Sequence, residues 1–88
     1  MRRATQIYTR EFDRVFFSLS AALRTRIDSR IAGIALDLEG YPHIRLQGRE
    51  EFKLRIGEYR VIYDFDVTKN ELFLLAMGHR REVYRRTS

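Results

Sequence analysis

The sequence predicts an α+β fold. An N-terminal strand and a two-helix hairpin are followed by a three-strand antiparallel meander. The strands form one sheet with the helices packed on one face, and the chain ends in a short basic tail or helix. Three observations predict this. Apolar residues recur at helical spacing through the first half, at Phe12, Val15, Phe16 and Leu19, then at Leu23, Ile27, Ile31, Ile34 and Leu38. The period then falls to two, at Phe52, Leu54 and Ile56 and again at Tyr59, Val61, Tyr63 and Phe65. Last, Leu72 to Met77 is a near-continuous apolar run, as expected of a central strand buried on both faces. Helices grouped ahead of tightly connected strands give an α+β arrangement. At 88 residues the chain is expected to be a single domain, 1–88, with a thin core.

Each element has a local cause. Ala4 to Tyr8 can form a strand, and the Thr9 hydroxyl can cap a first helix. Ser18 and Ser20 interrupt that helix, and Ser20 can cap a second, whose outer face carries Arg24, Arg26, Asp28 and Arg30. Gly40, with Pro42 just beyond, is expected to end it. Tyr41 to Arg49 reads as a loop. Gly57-Glu58 is a two-residue connection of the type II′ kind. It sets Ile56 against Tyr59, Arg55 against Arg60, Leu54 against Val61 and Lys53 against Ile62. Thr68-Lys69-Asn70 makes the next turn, and Gly78 ends the last strand.

The charge points to a polyanionic partner. Lys plus Arg is 17 against 12 Asp plus Glu, a net +5, and only Lys53 and Lys69 are lysine. Guanidinium forks bond phosphate through two donors at once, although arginine also serves stability. In the expected hairpin register Phe52, Leu54, Val61 and Tyr63 share the apolar face, while Lys53, Arg55 and Arg60 share the other. Like charges directly opposite on paired strands cost up to about 1 kcal/mol. The pairing of Arg55 with Arg60 therefore points to an anion there, with Asp64 and Glu58 as the internal alternatives. The tail adds His79, Arg80, Arg81, Arg85 and Arg86 around Tyr84, with Glu82 as its acid. Arginine interleaved with an aromatic ring suits phosphate and stacked base together.

Several classes are excluded or disfavoured. The absence of cysteine removes disulfide scaffolds, thiolate zinc sites, iron–sulfur clusters and cysteine nucleophiles. Two histidines, His43 and His79, make a poor metal constellation, and His43 reads as a surface residue. No metal and no cofactor are expected. No glycine-rich phosphate loop is present. No apolar run approaches the roughly 20 residues of a membrane span, and no signal peptide follows Met1-Arg2-Arg3, so a cytoplasmic location is expected.

The run Phe52-Lys53-Leu54-Arg55-Ile56-Gly57-Glu58-Tyr59-Arg60-Val61-Ile62-Tyr63 resembles the signature of RelE/ParE-superfamily toxins. The ending Gly78-His79-Arg80-Arg81-Glu82-Val83-Tyr84 resembles the terminus of the RelE-like branch of mRNA interferases. The resemblance implies a toxin of a type II toxin–antitoxin system whose partners are a cognate antitoxin protein, the ribosome and mRNA. RelE-like members are ribosome-dependent endoribonucleases that cut mRNA by attack of the 2′-hydroxyl and so inhibit translation. ParE-like members share the fold and instead inhibit DNA gyrase. A third alternative is an RNA-binding member whose catalysis has decayed. Matched by motif, the catalytic residues implied are Lys53, Arg60, Arg80 and Tyr84. Arg60 and Arg80 would hold the scissile phosphate, Lys53 would clamp or donate a proton, and Tyr84 would stack on the nucleotide. His79 is the candidate acid or base, since imidazole exchanges protons near neutral pH. Arg55, Arg81 and Arg85 would bind the RNA backbone. The chain departs from the RelE pattern at Glu51, where a lysine is expected, and in a shorter spacing between Arg80 and Tyr84.

Overall fold

The computed structural model describes residues 2–87, with side chains through Val83. The elements run β1 (Thr5–Tyr8), α1 (Arg10–Phe16), α2 (Ala21–Ala35), β2 (Ile44–Arg45), β3 (Phe52–Ile56), β4 (Tyr59–Asp66), β5 (Glu71–His79) and α3 (Arg80–Thr87). They form a 5-stranded sheet in the order β1-β5-β4-β3-β2. β1 runs parallel to β5 and the other pairs are antiparallel. This is the expected α+β architecture with one strand more. The extra strand, β2, lies inside the segment read as a loop, and both its residues are exposed.

The caps work as the sequence suggests. Thr9 Oγ1 accepts from the Phe12 amide at 3.1 Å, and Ser20 Oγ accepts from the Leu23 amide at 3.3 Å. Thr9 Oγ1 also donates to the Leu75 carbonyl at 2.6 Å, fastening the head of α1 to β5. The end of α2 differs from the expectation. The helix stops at Ala35, and Leu36 to Gly40 form a turn in which Asp37 Oδ1 accepts from the Gly40 amide at 3.0 Å. A side chain at Gly40 would collide with the Asp37 carboxylate. Leu38 keeps its helical spacing in the sequence and is buried, but from the turn.

Gly57 has φ +59° and Glu58 does not enter the positive region, in accord with a type II′ turn. All four expected hairpin pairs are present, Arg55 opposite Arg60 among them. Between β4 and β5 the register shifts. Ile62 pairs with Ala76 and Tyr63 with Leu74, leaving Leu75 as a bulge. Leu72, Leu74 and Met77 therefore join the main core with Phe12, Ile27, Ile31, Ile34, Val61 and Tyr63. Ala76 turns to the opposite face, where it meets Leu46, Ile62 and Val83. Burial on both faces, expected for the whole apolar run, is confined to its end, where α3 docks. Phe73 and Leu75 are only half-buried.

His43 is not a surface residue. It stacks on Phe65 with ring centroids 4.0 Å apart. Its Nε2 bonds the Leu38 carbonyl at 2.6 Å, which requires a proton there, and its Nδ1 meets Tyr63 Oη at 2.7 Å. With a neutral ring, the Tyr63 hydroxyl donates to Nδ1. Burial pushes the Tyr63 phenol above its ordinary range. The ring thus ties the segment before β2 to the core.

Candidate nucleic-acid interface

The sheet face opposite α1 and α2 carries the expected cations. Lys53 stands half-buried on β3, between Ile44 of β2 and Ile62 of β4. Arg55 is exposed one step nearer the turn, opposite Arg60. Gly78 pairs with Arg60 on its other side and has no side chain to compete for the space.

Arg60 behaves differently from its neighbours. It is 8% exposed, the one charged side chain buried among the described residues. Its Nη1 donates to the carbonyls of Gly57 and Tyr59, both at 2.9 Å. The guanidinium turns back onto the hairpin turn rather than across to Arg55. The like-charge opposition is relieved by backbone carbonyls, so the register alone does not require an external anion. Neither expected counter-ion serves the pair. Asp64 accepts from the Phe65 amide at 2.8 Å, and Glu58 is engaged elsewhere.

Glu58, expected as a counter-ion to Arg55 and Arg60, serves Arg80 instead. Its carbonyl accepts from the Arg80 amide at 2.9 Å, tying the head of α3 to the turn. Its Oε2 lies 3.1 Å from Arg80 Nε and 3.9 Å from His79 Nε2. The His79 ring in turn meets Tyr59 edge-on, with centroids 6.2 Å apart. The turn therefore gathers Glu58, Arg60, His79 and Arg80. The only sequence signal for Glu58 was an acid set between Gly57 and Tyr59 within a basic hairpin. Arg81 is exposed on α3. The side chains of Tyr84 and Arg85 lie outside the described residues, although both positions belong to α3.

The departure at Glu51 has a local explanation. Arg49 Nε meets Glu51 Oε1 at 2.9 Å, so the acid is neutralised by a neighbour that precedes β3. Among the described residues no three His, Cys, Asp or Glu side chains gather as a metal ion would need. No helix among them is long and apolar enough to cross a membrane. The result is an electropositive face built from a hairpin and a helix head, with the Glu58 carboxylate at its turn end. The His79 imidazole follows its strand partner Tyr59 toward the α1 and α2 side and meets this corner at the rim, beside Glu58. Such a face can bind a phosphodiester and stabilise charge developing on it.

Comparison with solved structures places the fold. The chain is similar to a chain of the RelBE2 toxin–antitoxin complex from Mycobacterium tuberculosis, at 22% identity and TM-score 0.73, over 93% of this chain and 97% of that one. It is similar to the isolated RelE toxin of E. coli, at 17% identity and TM-score 0.73, over 96% and 94% of the two chains. It is also similar to the archaeal RelE–RelB complex from Pyrococcus horikoshii, at 19% identity and TM-score 0.73, over 93% and 100%. At these identities the likeness is one of fold. No curated protein matches the chain by sequence. A family model for the ParE toxin of the type II toxin–antitoxin system parDE matches residues 1–84. The chain therefore belongs to the ParE toxin family of type II toxin–antitoxin systems, within the RelE/ParE superfamily.

Proposed function

We propose that the protein is a ribosome-dependent mRNA endoribonuclease that inhibits translation and is held in check by a cognate antitoxin protein. The observation that carries this reading is the exposed cationic face at the hairpin and the head of α3, which brings Lys53, Arg55, Arg80 and Arg81 to one side of the sheet. In the reaction the 2′-oxygen attacks the adjacent phosphorus and gives up its proton. The bond from phosphorus to the 5′-oxygen breaks, and that oxygen takes a proton. The products are a 2′,3′-cyclic phosphate and a 5′-hydroxyl. Arg80 and Lys53 stabilise the charge that builds on the phosphorane oxygens. His79, at the rim beside Glu58, is the proposed proton carrier, because imidazole is the side chain suited to take or give a proton near neutral pH. Tyr84 stacks on the nucleotide, and Arg55, Arg81 and Arg85 hold the backbone. Arg60 supports this site from behind by holding the turn, in place of the direct phosphate contact implied by its motif.

Two observations favour a second reading, inhibition of DNA gyrase. The matching family model is that of ParE toxins, and Arg60 spends its Nη1 on internal carbonyls. One experiment separates the two. The protein is added to a translation reaction and, in parallel, to a gyrase supercoiling reaction. The nuclease reading expects shortened mRNA with supercoiling at the full rate, and loss of cleavage by about 10²–10³ in Arg80→Ala. Intact mRNA with blocked supercoiling would replace it with the gyrase reading.

A further inference from the structure

We propose that the Glu58 carboxylate occupies the place of a substrate phosphate. It is a displaceable counter-ion that holds Arg80 in the unliganded protein and yields it when a phosphodiester arrives. The inference deepens the reading above and rests on it only in taking a nucleic-acid phosphate as the natural ligand. Glu58 Oε2 lies 3.1 Å from Arg80 Nε and 3.9 Å from His79 Nε2, so one anionic oxygen faces both the guanidinium assigned to the reacting phosphate and the imidazole assigned to proton transfer. A phosphate oxygen can make the same two contacts.

The carboxylate is not needed to build this corner. The head of α3 is already tied to the turn by the bond from the Arg80 amide to the Glu58 carbonyl, which any side chain at position 58 preserves. A type II′ turn calls for glycine at its first position, supplied by Gly57, and makes no demand for an acid at the second. The ion pair is well exposed, with the two side chains 46% and 65% accessible, and pairs of that kind add little stability. What the acid does is electrostatic. It keeps Arg80 oriented and lowers the affinity of this corner for any anion, since binding must first break the pair. Glu58 is thus a positioning residue acting through Arg80.

The test is a titration of the full chain with inorganic phosphate, following the Nε–H resonance of Arg80 by NMR, with E58Q alongside. The expected result is a saturable shift of that resonance. Its midpoint falls by about two- to fivefold in E58Q, the range that the loss of one exposed ion pair commands. The melting temperature of E58Q should stay within a few degrees of the wild type, and its KM for RNA cleavage should fall while kcat holds. An Arg80 resonance unmoved by phosphate in both proteins would overturn the proposal. So would a midpoint that is equal or higher in E58Q, or a large loss of melting temperature, which would mark the carboxylate as structural. Failure of the nuclease reading is a separate outcome, seen as intact mRNA on ribosomes while phosphate still exchanges with Glu58 at Arg80.

Discussion

Replacing Arg60 with alanine is expected to cost far more stability than replacing Arg80, although the motif assigns both to the phosphate. Arg60 is buried and its Nη1 serves two carbonyls of the turn at 2.9 Å each. A hydrogen bond from a charged donor contributes about 1.5–3 kcal/mol net, and the bifurcated Nη1 is counted once. The packing of the aliphatic stem adds to this. Against it stands the like-charge opposition to Arg55, which truncation removes, at up to about 1 kcal/mol. The balance is a loss of about 2 kcal/mol. In a domain of this size each kcal/mol moves the melting temperature by about 4–8 °C, so Arg60→Ala should melt about 8–16 °C lower. Arg80 makes one exposed ion pair, a type of contact that contributes about 0.2–1 kcal/mol, so Arg80→Ala should lose no more than a few degrees. The assay is thermal denaturation by circular dichroism, with cleavage measured well below both transitions. Equal melting temperatures for the two variants would refute the division into a supporting and a reacting arginine.

Three further outcomes follow from the packing. The Tyr63 phenol is held neutral by burial, so its stabilisation is complete below the ordinary tyrosine value near 10 and is lost as pH rises from there. Stability measured by denaturant between about pH 9 and 11 should fall with pH, and Tyr63→Phe should flatten that slope, even though it also leaves His43 Nδ1 without its partner. Thr9→Ala removes both the cap on Phe12 and the bond to the bulge at Leu75, and should lower unfolding free energy by about 1–2 kcal/mol in urea. Val83 is fully buried on Leu46, Ile62 and Ala76, so Val83→Ala should cost about 1–2 kcal/mol and speed hydrogen exchange in α3 more than in β5.

The hairpin was legible to the residue because Gly57 admits a positive φ, and a two-residue turn then dictates every pair to Lys53–Ile62. The caps at Thr9 and Ser20 were legible because a hydroxyl ahead of an apolar helix has one principal use there. β2 escaped notice because two exposed residues, Ile44 and Arg45, carry no period. The bulge at Leu75 left no trace because every residue from Leu72 to Met77 is apolar, so a change of parity changes no letter. The end of α2 was set too late because Leu38 fits the helical spacing yet is buried from a turn. At the site, residue types announced the basic face. The split between inward Arg60 and outward Arg80, and the engagement of Glu58 with Arg80, depend on side-chain direction, which spacing does not encode.

The central claim is that this toxin cuts mRNA on the ribosome. Primer extension on one mRNA tests it most directly, with the mRNA translated in a reconstituted system beside the same mRNA without ribosomes, each with and without the protein. The account predicts new 5′ ends only on the translated mRNA, and none with Arg80→Ala. Uncut mRNA in both reactions, from protein that is folded and free of antitoxin, would contradict it.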